Sequence, residues 1–328
     1  MLLALFACIP LFVKMGYALQ IFVVTLLYAS WASAWNIIGG YAGQLALGNG
    51  LYIGIGAYVM AALYKFDGIT PWVGMLIAGL FAGVLSVIVN FPCFRLRGIY
   101  YALSTACFLQ VGRTIMIEEE YILGHKTGGA MGIKLSWVGG VINMQFQKMY
   151  GYYYLALGLL VTCILVSRLC ERSRMGYYLR AINTNQGAAA SLGVNVMKYK
   201  MYAQFISAFL TAVGGAIYAA LLQFVEPNTV LAYNLSTMIV LLVVVGGRGT
   251  LWGPVVGAFL MVPMDQILRA KLGGQIAGLS TIIYGLVLMF VVMFLPNGVY
   301  HYVAKGVSAL MDKINGKKMT GTEGQANG

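Results

Sequence analysis

The chain has 328 residues, of which 60% are hydrophobic and only 9% are charged, whereas soluble domains carry about 25% charge. A composition this apolar excludes an ordinary water-soluble domain and indicates a protein that lies in lipid. The formal net charge is +12. The basic residues cluster in short gaps between apolar runs and form no basic stripe with interleaved aromatic residues, so a nucleic-acid partner is not indicated.

The apolar runs predict ten transmembrane helices, because a helix of about 20 apolar residues crosses the roughly 30 Å of hydrocarbon in a bilayer. Runs that are continuous rather than alternating favour helices over a barrel. In chain order we predict spans at residues 2–13, 17–38, 49–64, 72–91, 98–117, 151–170, 200–222, 231–247, 251–268 and 276–295. The third is rich in glycine and is a candidate broken helix. The predicted fold class is all-α, a polytopic transmembrane helical bundle.

Basic residues in the gaps predict the orientation of the bundle. With the N-terminus in the cytoplasm, the cytoplasmic gaps and tail hold 13 Lys and Arg residues, and the external gaps hold seven. Arg269 and Lys271 fall on the external side against this bias, which indicates a re-entrant or miscounted segment there.

The sequence offers no cluster of catalytic or metal-ligating residues. Its two histidines, His125 and His301, are far apart, its five cysteines form no CxxC pair, and no GxxxxGK[ST] phosphate loop is present. The candidates for an ionisable residue at mid-membrane are Arg113 and Asp265, both near span ends, so no proton or sodium relay is evident. The pattern favours transport that a separate protein energises.

The long cytoplasmic gap at residues 168–199 carries the most informative segment. Its stretch from 174 to 195 reads as a short, alanine-rich helix outside the membrane, closed by Gly193 and Asn195. Such a helix is either a handle that another protein grips or an ordinary amphipathic helix at the membrane interface.

Four further blocks lie in order along the chain. They are residues 36–58 (NIIGGYAGQLALGNGLYIGIGAY), 95–105 (RLRGIYYALST), 245–258 (VGGRGTLWGPVVGA) and the final pair Tyr284-Gly285 with 294–298 (FLPNG). Together they resemble the branched-chain amino acid permeases of the LivM and LivH type. The stretch Gly187-Ala188-Ala189, followed by Gly193, is similar to the EAA-x-x-x-Gly coupling segment of ATP-binding-cassette (ABC) importer permeases.

The resemblance implies a multi-pass permease subunit of an ABC importer in the bacterial inner membrane, carrying branched-chain or similar hydrophobic amino acids. It implies ATP-binding subunits, a second permease subunit of the LivH type, an extracytoplasmic substrate-binding protein and membrane lipid as partners. The chain would be no enzyme and hold no cofactor, because ATP is bound and hydrolysed on the partners. A urea or short-amide importer permease and a stand-alone secondary transporter remain as alternatives.

The resemblance also divides the chain and assigns candidate sites. Residues 1–312 form the predicted transmembrane permease domain, with the cytoplasmic coupling segment at 168–199, and residues 313–328 form a predicted disordered cytoplasmic tail. The candidate ATPase-coupling residues are Arg180, Gly187, Ala188, Ala189 and Gly193. Relatives usually carry acidic residues where this chain has Thr184 and Gln186, which leaves the electrostatics of docking open.

Glycines and amides in the first block are candidates for the translocation path. Glycine lets the backbone unwind, and unwound backbone inside a membrane is tolerated where it lines a cavity. The candidates are Gly43, Gln44, Gly48, Asn49, Gly54 and Gly56. Tight helix packing is the alternative explanation for these glycines.

Overall fold

The structure is a computed structural model that describes residues 16–96, 98–119, 121–122, 125–126, 128–272, 279–295, 298–302 and 305. The predicted span at 2–13 and the predicted disordered tail at 313–328 lie outside the described residues.

The described residues form twelve α-helices and two small sheets. The helices are α1 (Gly16–Asn36), α2 (Asn49–Phe66), α3 (Pro71–Cys93), α4 (Ile99–Glu118), α5 (Met149–Arg172), α6 (Arg174–Thr184), α7 (Gln186–Ser191), α8 (Val196–Leu222), α9 (Pro227–Val230), α10 (Tyr233–Gly246), α11 (Gly253–Leu272) and α12 (Leu279–Phe294). A π-helical turn, Ile37–Tyr41, extends α1, and Gly129–Met131 form a 3-10 turn. Strand β1 (Tyr121–Ile122) pairs antiparallel with β2 (His125–Lys126), and β3 (Ile133–Lys134) with β4 (Phe224–Val225).

The helices confirm the predicted all-α membrane fold. Nine of the ten predicted spans coincide with a described helix, and five helical stretches are long and apolar enough to cross a membrane. These are Gly16–Tyr41, Pro71–Cys93, Met149–Arg172, Val196–Leu222 and Pro227–Gly246. The total of ten crossings stays a prediction.

Two details of the predicted spans differ from the structure. The glycine-rich third span is not broken, because α2 runs without interruption from Asn49, and the irregular backbone lies before it at residues 42–48. The helix α11 continues through Arg269 to Leu272, so the described part of that segment does not re-enter. Arg269 pairs with Asp265 one turn earlier, at 2.9 Å. An ion pair lowers the cost of placing both charges near a membrane.

The helix α1 is the centre of the bundle and packs against α5, α8, α10 and α11. Two of its largest side chains, Trp31 and Trp35, are fully buried. A membrane offers no hydrophobic drive for helices to associate, so close packing must hold them together. Burial of the bulkiest residues of α1 provides this contact area around the whole helix.

Small residues set the contact between α2 and α8. A Cβ atom on Gly56 would lie 2.0 Å from the carbonyl oxygen of Ala212, and a Cβ on Gly215 would lie 2.2 Å from that of Ile53. The two backbones therefore touch at two points one turn apart, as at glycine-mediated crossings of membrane helices. Helix α3 packs against both α2 and α8, and its outward face exposes apolar side chains such as Leu80 and Ile88.

The segments that connect the long helices contact one another at two separate ends of the bundle. At one end, β3 pairs with β4, and the Trp72 indole donates to the carbonyl of Val141 at 2.9 Å. At the other end, side chains of Asn36 and Asn183 bind backbone from the remaining gaps. This separation is consistent with alternating crossings, and the positive-inside rule predicts that the second end, with the coupling segment, faces the cytoplasm.

Candidate functional site

The coupling segment folds as two helices rather than the one predicted. Asn185 is extended (φ −154°, ψ 108°) and separates α6 from α7. Its side-chain oxygen accepts hydrogen bonds from the backbone N–H groups of Gly187 and Ala188 at 3.0 and 3.1 Å, which caps α7. Asn195 likewise caps α8 by accepting from Lys198 at 3.1 Å, so it begins the next helix instead of closing the coupling helix.

Helix α7, the second helix of the coupling segment, has one buried and one exposed face. Ala189 is only 3% exposed, whereas Ala188 and Gly187 are exposed. Gly193 follows the helix with φ +83°, the left-handed conformation that glycine adopts without strain. Leu192, immediately before it, is 85% exposed. The segment therefore presents a small-residue surface with one large apolar side chain at its edge.

Arg180 is engaged inside the chain. Its guanidinium forms an ion pair with Glu171 at the end of α5 and lies 5.9 Å from the centre of the Tyr41 ring. Half of its side chain remains exposed. Arg180 thus ties α6 to α5 and to the π-helical turn, which is a structural role in addition to the docking role predicted for it.

The missing acids of the segment have a local substitute. The side-chain oxygen of Gln186 accepts a hydrogen bond from the Lys200 ammonium at 3.0 Å. Lys200 is only 1% exposed, at the first turns of α8. A buried ammonium needs acceptors, and Gln186 supplies one of them without a charge. The bond attaches the start of α7 to the membrane helix α8.

Three blocks of the sequence meet at the C-terminal end of α1. The Asn183 amide on α6 donates to the carbonyl of Gly40 at 3.2 Å. The Asn36 amide donates to the Thr250 carbonyl at 2.9 Å, and its oxygen accepts from the Gly249 N–H at 3.0 Å. We call these five residues, Asn36, Gly40, Asn183, Gly249 and Thr250, the Gly40 junction.

Two glycines in and beside the Gly40 junction, Gly40 and Gly43, leave no room for a side chain. A Cβ atom on Gly40 would lie 1.9 Å from the Asn36 side-chain oxygen and 2.8 Å from the Gly249 nitrogen. Gly43 has φ +69°, and a Cβ there would lie 2.0 Å from the Asn183 oxygen. Gly43, predicted to lie on the translocation path, therefore lies against Asn183 of α6.

Sequence reasoning missed both asparagines of the junction. Their partners lie far along the chain, 143 positions away for Asn183 and 214 for Asn36, so no local pattern reveals the contacts. The available signal was their position, because each amide lies in a block that was already singled out.

The remaining path candidates occupy different environments. Glycines 48, 54 and 56 lie at close contacts, where a Cβ atom would meet Thr105, Leu231 and Ala212 at 2.6 Å or less. These contacts favour the packing explanation for the three glycines, and a role in the path stays a prediction. Asn49 is fully buried, and within the described residues neither atom of its amide has a hydrogen-bond partner.

A buried polar stripe on α8 accompanies Asn49. Gln204, Ser207 and Thr211 are at most 1% exposed and lie on one face of the helix, with spacings of three and four residues. Each has a side-chain oxygen without a hydrogen-bond partner among the described residues. Leaving such atoms unpaired costs about 1–3 kcal/mol each. The stripe is a polar feature of the bundle interior that the sequence analysis overlooked, because it lies in an apolar run.

Long apolar helices around a central helix, with a helical loop attached to the end of that helix, are the architecture of a multi-pass membrane protein. Residues 17–295 match the family described as branched-chain amino acid transport system permease components, and the chain belongs to this family. The match confirms the resemblance found from the sequence blocks. The family comprises membrane-embedded transport subunits rather than enzymes.

Individual relatives agree with the family. The high-affinity branched-chain amino acid transport system permease protein LivM of Escherichia coli K12 is 28% identical over 82% of this chain and 67% of its own length. LivM of Salmonella typhimurium is 27% identical over 79% and 65%, so the chain spans about two thirds of these relatives. The nucleoside ABC transporter permease protein NupC of Lactococcus lactis is 25% identical over 90% and 96%. No solved structure matches the chain.

Proposed function

We propose that the chain is the permease subunit of an ABC importer that carries branched-chain amino acids across the bacterial inner membrane. Family membership and the two LivM relatives support this assignment. Two ATP-binding subunits would hydrolyse ATP in the cytoplasm, and an extracytoplasmic binding protein would deliver the substrate. A second permease subunit of the LivH type would complete the membrane part.

The hydrogen bond from Asn183 to the Gly40 carbonyl is the observation on which the proposed coupling mechanism rests. It connects the coupling segment directly to the end of the central helix, which contacts four other long helices. The π-helical turn at that end is a rare backbone form that is frequent at functional sites. A partner that moves α6 would therefore act on α1 through this carbonyl, and α1 would pass the displacement to the bundle.

The exposed face of α7 is the proposed docking surface for the ATP-binding subunit. Ala188 and Gly187 leave room for close approach, and the exposed Leu192 provides an apolar side chain that a pocket on the partner can bury. Gln186 bonds the segment to α8, and Arg180 bonds it to α5. A displacement of this face by the partner would therefore also move these two helices.

Nucleoside import is the second candidate function, because the Lactococcus relative aligns over 96% of its own length. Uptake of radiolabelled leucine into cells that contain the complete transporter distinguishes the two. Unlabelled isoleucine and valine are expected to compete, whereas uridine and urea are not. Uptake of uridine without uptake of leucine would reassign the substrate.

The same cells test the source of energy. Depletion of ATP is expected to stop uptake while the proton gradient is maintained, because the chain relies on partner ATPases. Uptake that instead stops with a protonophore at normal ATP levels would indicate a secondary transporter.

A further inference from the structure

A cavity of about 440 Å³ opens at the cytoplasmic end of the bundle. It lies where α5 and α6 meet the turn between α10 and α11. The side chains that line it include Arg168, Glu171, Arg172, Tyr177, Arg180 and Trp252. Three arginines in one concavity point to an anionic ligand, and the aromatic walls add apolar surface.

The charge of the cavity is concentrated on two of the arginines. Arg180 is paired with Glu171, which leaves Arg168 and Arg172 as the uncompensated charges of the lining. Neither forms an ion pair within the described part of the chain. They are four residues apart on α5, so they project from the same face as neighbours. Planar guanidinium groups placed side by side match the oxygens of one phosphate.

The position of the cavity points to a lipid rather than a soluble anion. α5 is one of the apolar helices of membrane length, and the two arginines occupy its last two turns, at the level of the headgroups. Leu165 and Leu169, 54% and 63% exposed, lie on the same face of α5. They continue the cavity into the hydrocarbon region as an apolar track of the kind that an acyl chain covers.

We propose that this cavity binds the phosphate headgroup of an anionic phospholipid from the cytoplasmic leaflet. The phosphate would lie between Arg168 and Arg172, and an acyl chain would follow Leu165 and Leu169. Such a lipid would bridge α5, α6 and the turn that carries Trp252. Because α6 and this turn both contribute to the Gly40 junction, the bound lipid would hold the coupling segment in register with the central helix. The proposal does not depend on which substrate is carried.

Native mass spectrometry of the purified full-length chain in detergent tests the proposal. The chain is titrated with dioleoylphosphatidylglycerol and, separately, with dioleoylphosphatidylcholine. Each arginine near a lipid surface contributes about fivefold in affinity, so the pair predicts about 25-fold tighter binding of the anionic lipid. The double substitution Arg168→Gln and Arg172→Gln is expected to remove this preference, and the double substitution to Lys is expected to retain most of it.

Arg174→Gln is the control to be compared with the single substitution Arg172→Gln, because each removes one positive charge from an exposed position and only Arg172 lines the cavity. It is expected to leave the preference unchanged. Glycerol 3-phosphate at millimolar concentration is expected not to displace the lipid. Equal binding of the two lipids, equal loss in the Arg174 variant, or displacement by glycerol 3-phosphate would each overturn the proposal. Thermal unfolding of every variant confirms that the binding comparison is made on folded protein.

Discussion

At the scale of single residues, amide side chains form the connections on which the proposed mechanism depends. Asn183 binds the Gly40 carbonyl, Asn36 binds both sides of the turn at 249–250, and Asn185 and Asn195 cap consecutive helices. A neutral amide can donate and accept at once, which an ionised acid cannot do. Directional hydrogen bonds from neutral amides thus join the helices at this end of the bundle, beside the ion pair of Arg180 with Glu171.

Substitution of Asn183 by Ala is expected to uncouple transport while leaving the protein folded. One hydrogen bond at a partly exposed position contributes about 1 kcal/mol, or about fivefold in an equilibrium. Proteoliposomes with the complete transporter should therefore show about fivefold less substrate taken up per ATP hydrolysed.

Asn143→Ala is the control for this prediction. Its side chain makes the same kind of bond, to the Gly139 carbonyl at 3.1 Å, but at the external end. An equal loss of coupling in the two variants would show that the junction has no special role.

Replacement of Gly56 by Ala is expected to destabilise the bundle by about 1–3 kcal/mol, because the added methyl group overlaps the Ala212 carbonyl. Gly158→Ala in α5 is the matched control, since among the described residues no atom beyond its two chain neighbours and the backbone of its own helix lies within 4 Å of the place that its methyl group would occupy. There the substitution should be neutral or stabilising by about 0.5–1 kcal/mol. Thermal unfolding in detergent measures both, and similar values for the two would contradict the close contact of α2 with α8.

At the scale of elements, the coupling segment shows what a sequence pattern can and cannot predict. Its place outside the apolar runs and its alanine-rich character were predicted from the sequence. The division into α6 and α7 was not, because it depends on Asn185 adopting an extended backbone and capping its own successors. The absent acids also proved uninformative alone, since the partner of Gln186 is a lysine 14 residues later.

The two faces of α7 predict opposite outcomes for neighbouring alanines. Ala188→Glu should leave the unfolding temperature unchanged, because the side chain is exposed. Ala189→Glu should lower it strongly, because the position is 3% exposed and a buried unpaired carboxylate costs several kcal/mol. Circular dichroism during heating gives both temperatures. Equal destabilisation would mean that α7 is oriented differently.

At the scale of the whole molecule, most helices could be predicted because their signal is local. Nine predicted spans coincide with helices such as α5 and α8, since a long apolar run fixes their existence. Their ends were less predictable, because α8 begins four residues before the predicted span, where Asn195 caps it. The packing around α1 could not be predicted, because it depends on which distant residues meet. Gly43 and Gly56 illustrate the limit: both were noticed as glycines, but one lies beneath Asn183 and the other against Ala212.

The same scale explains how the family assignment and the structure fit together. The blocks at 36–58, 174–195 and 245–258 supported the resemblance separately, and the structure joins them at the Gly40 junction. The proposed coupling of a partner subunit to the central helix needs all three at once. The blocks are therefore parts of one site rather than independent motifs.

Co-purification from the source membrane tests the central claim, that the chain is a permease driven through its coupling segment. The affinity-tagged chain is expected to retain an ATP-binding subunit, identified by mass spectrometry. The Ala188→Glu variant, which should be equally folded, is expected to lose that subunit and to keep the second permease subunit. An ATP-binding subunit retained equally by both forms would contradict docking at α7, and its absence from the wild-type preparation would contradict the assignment as an ABC importer permease.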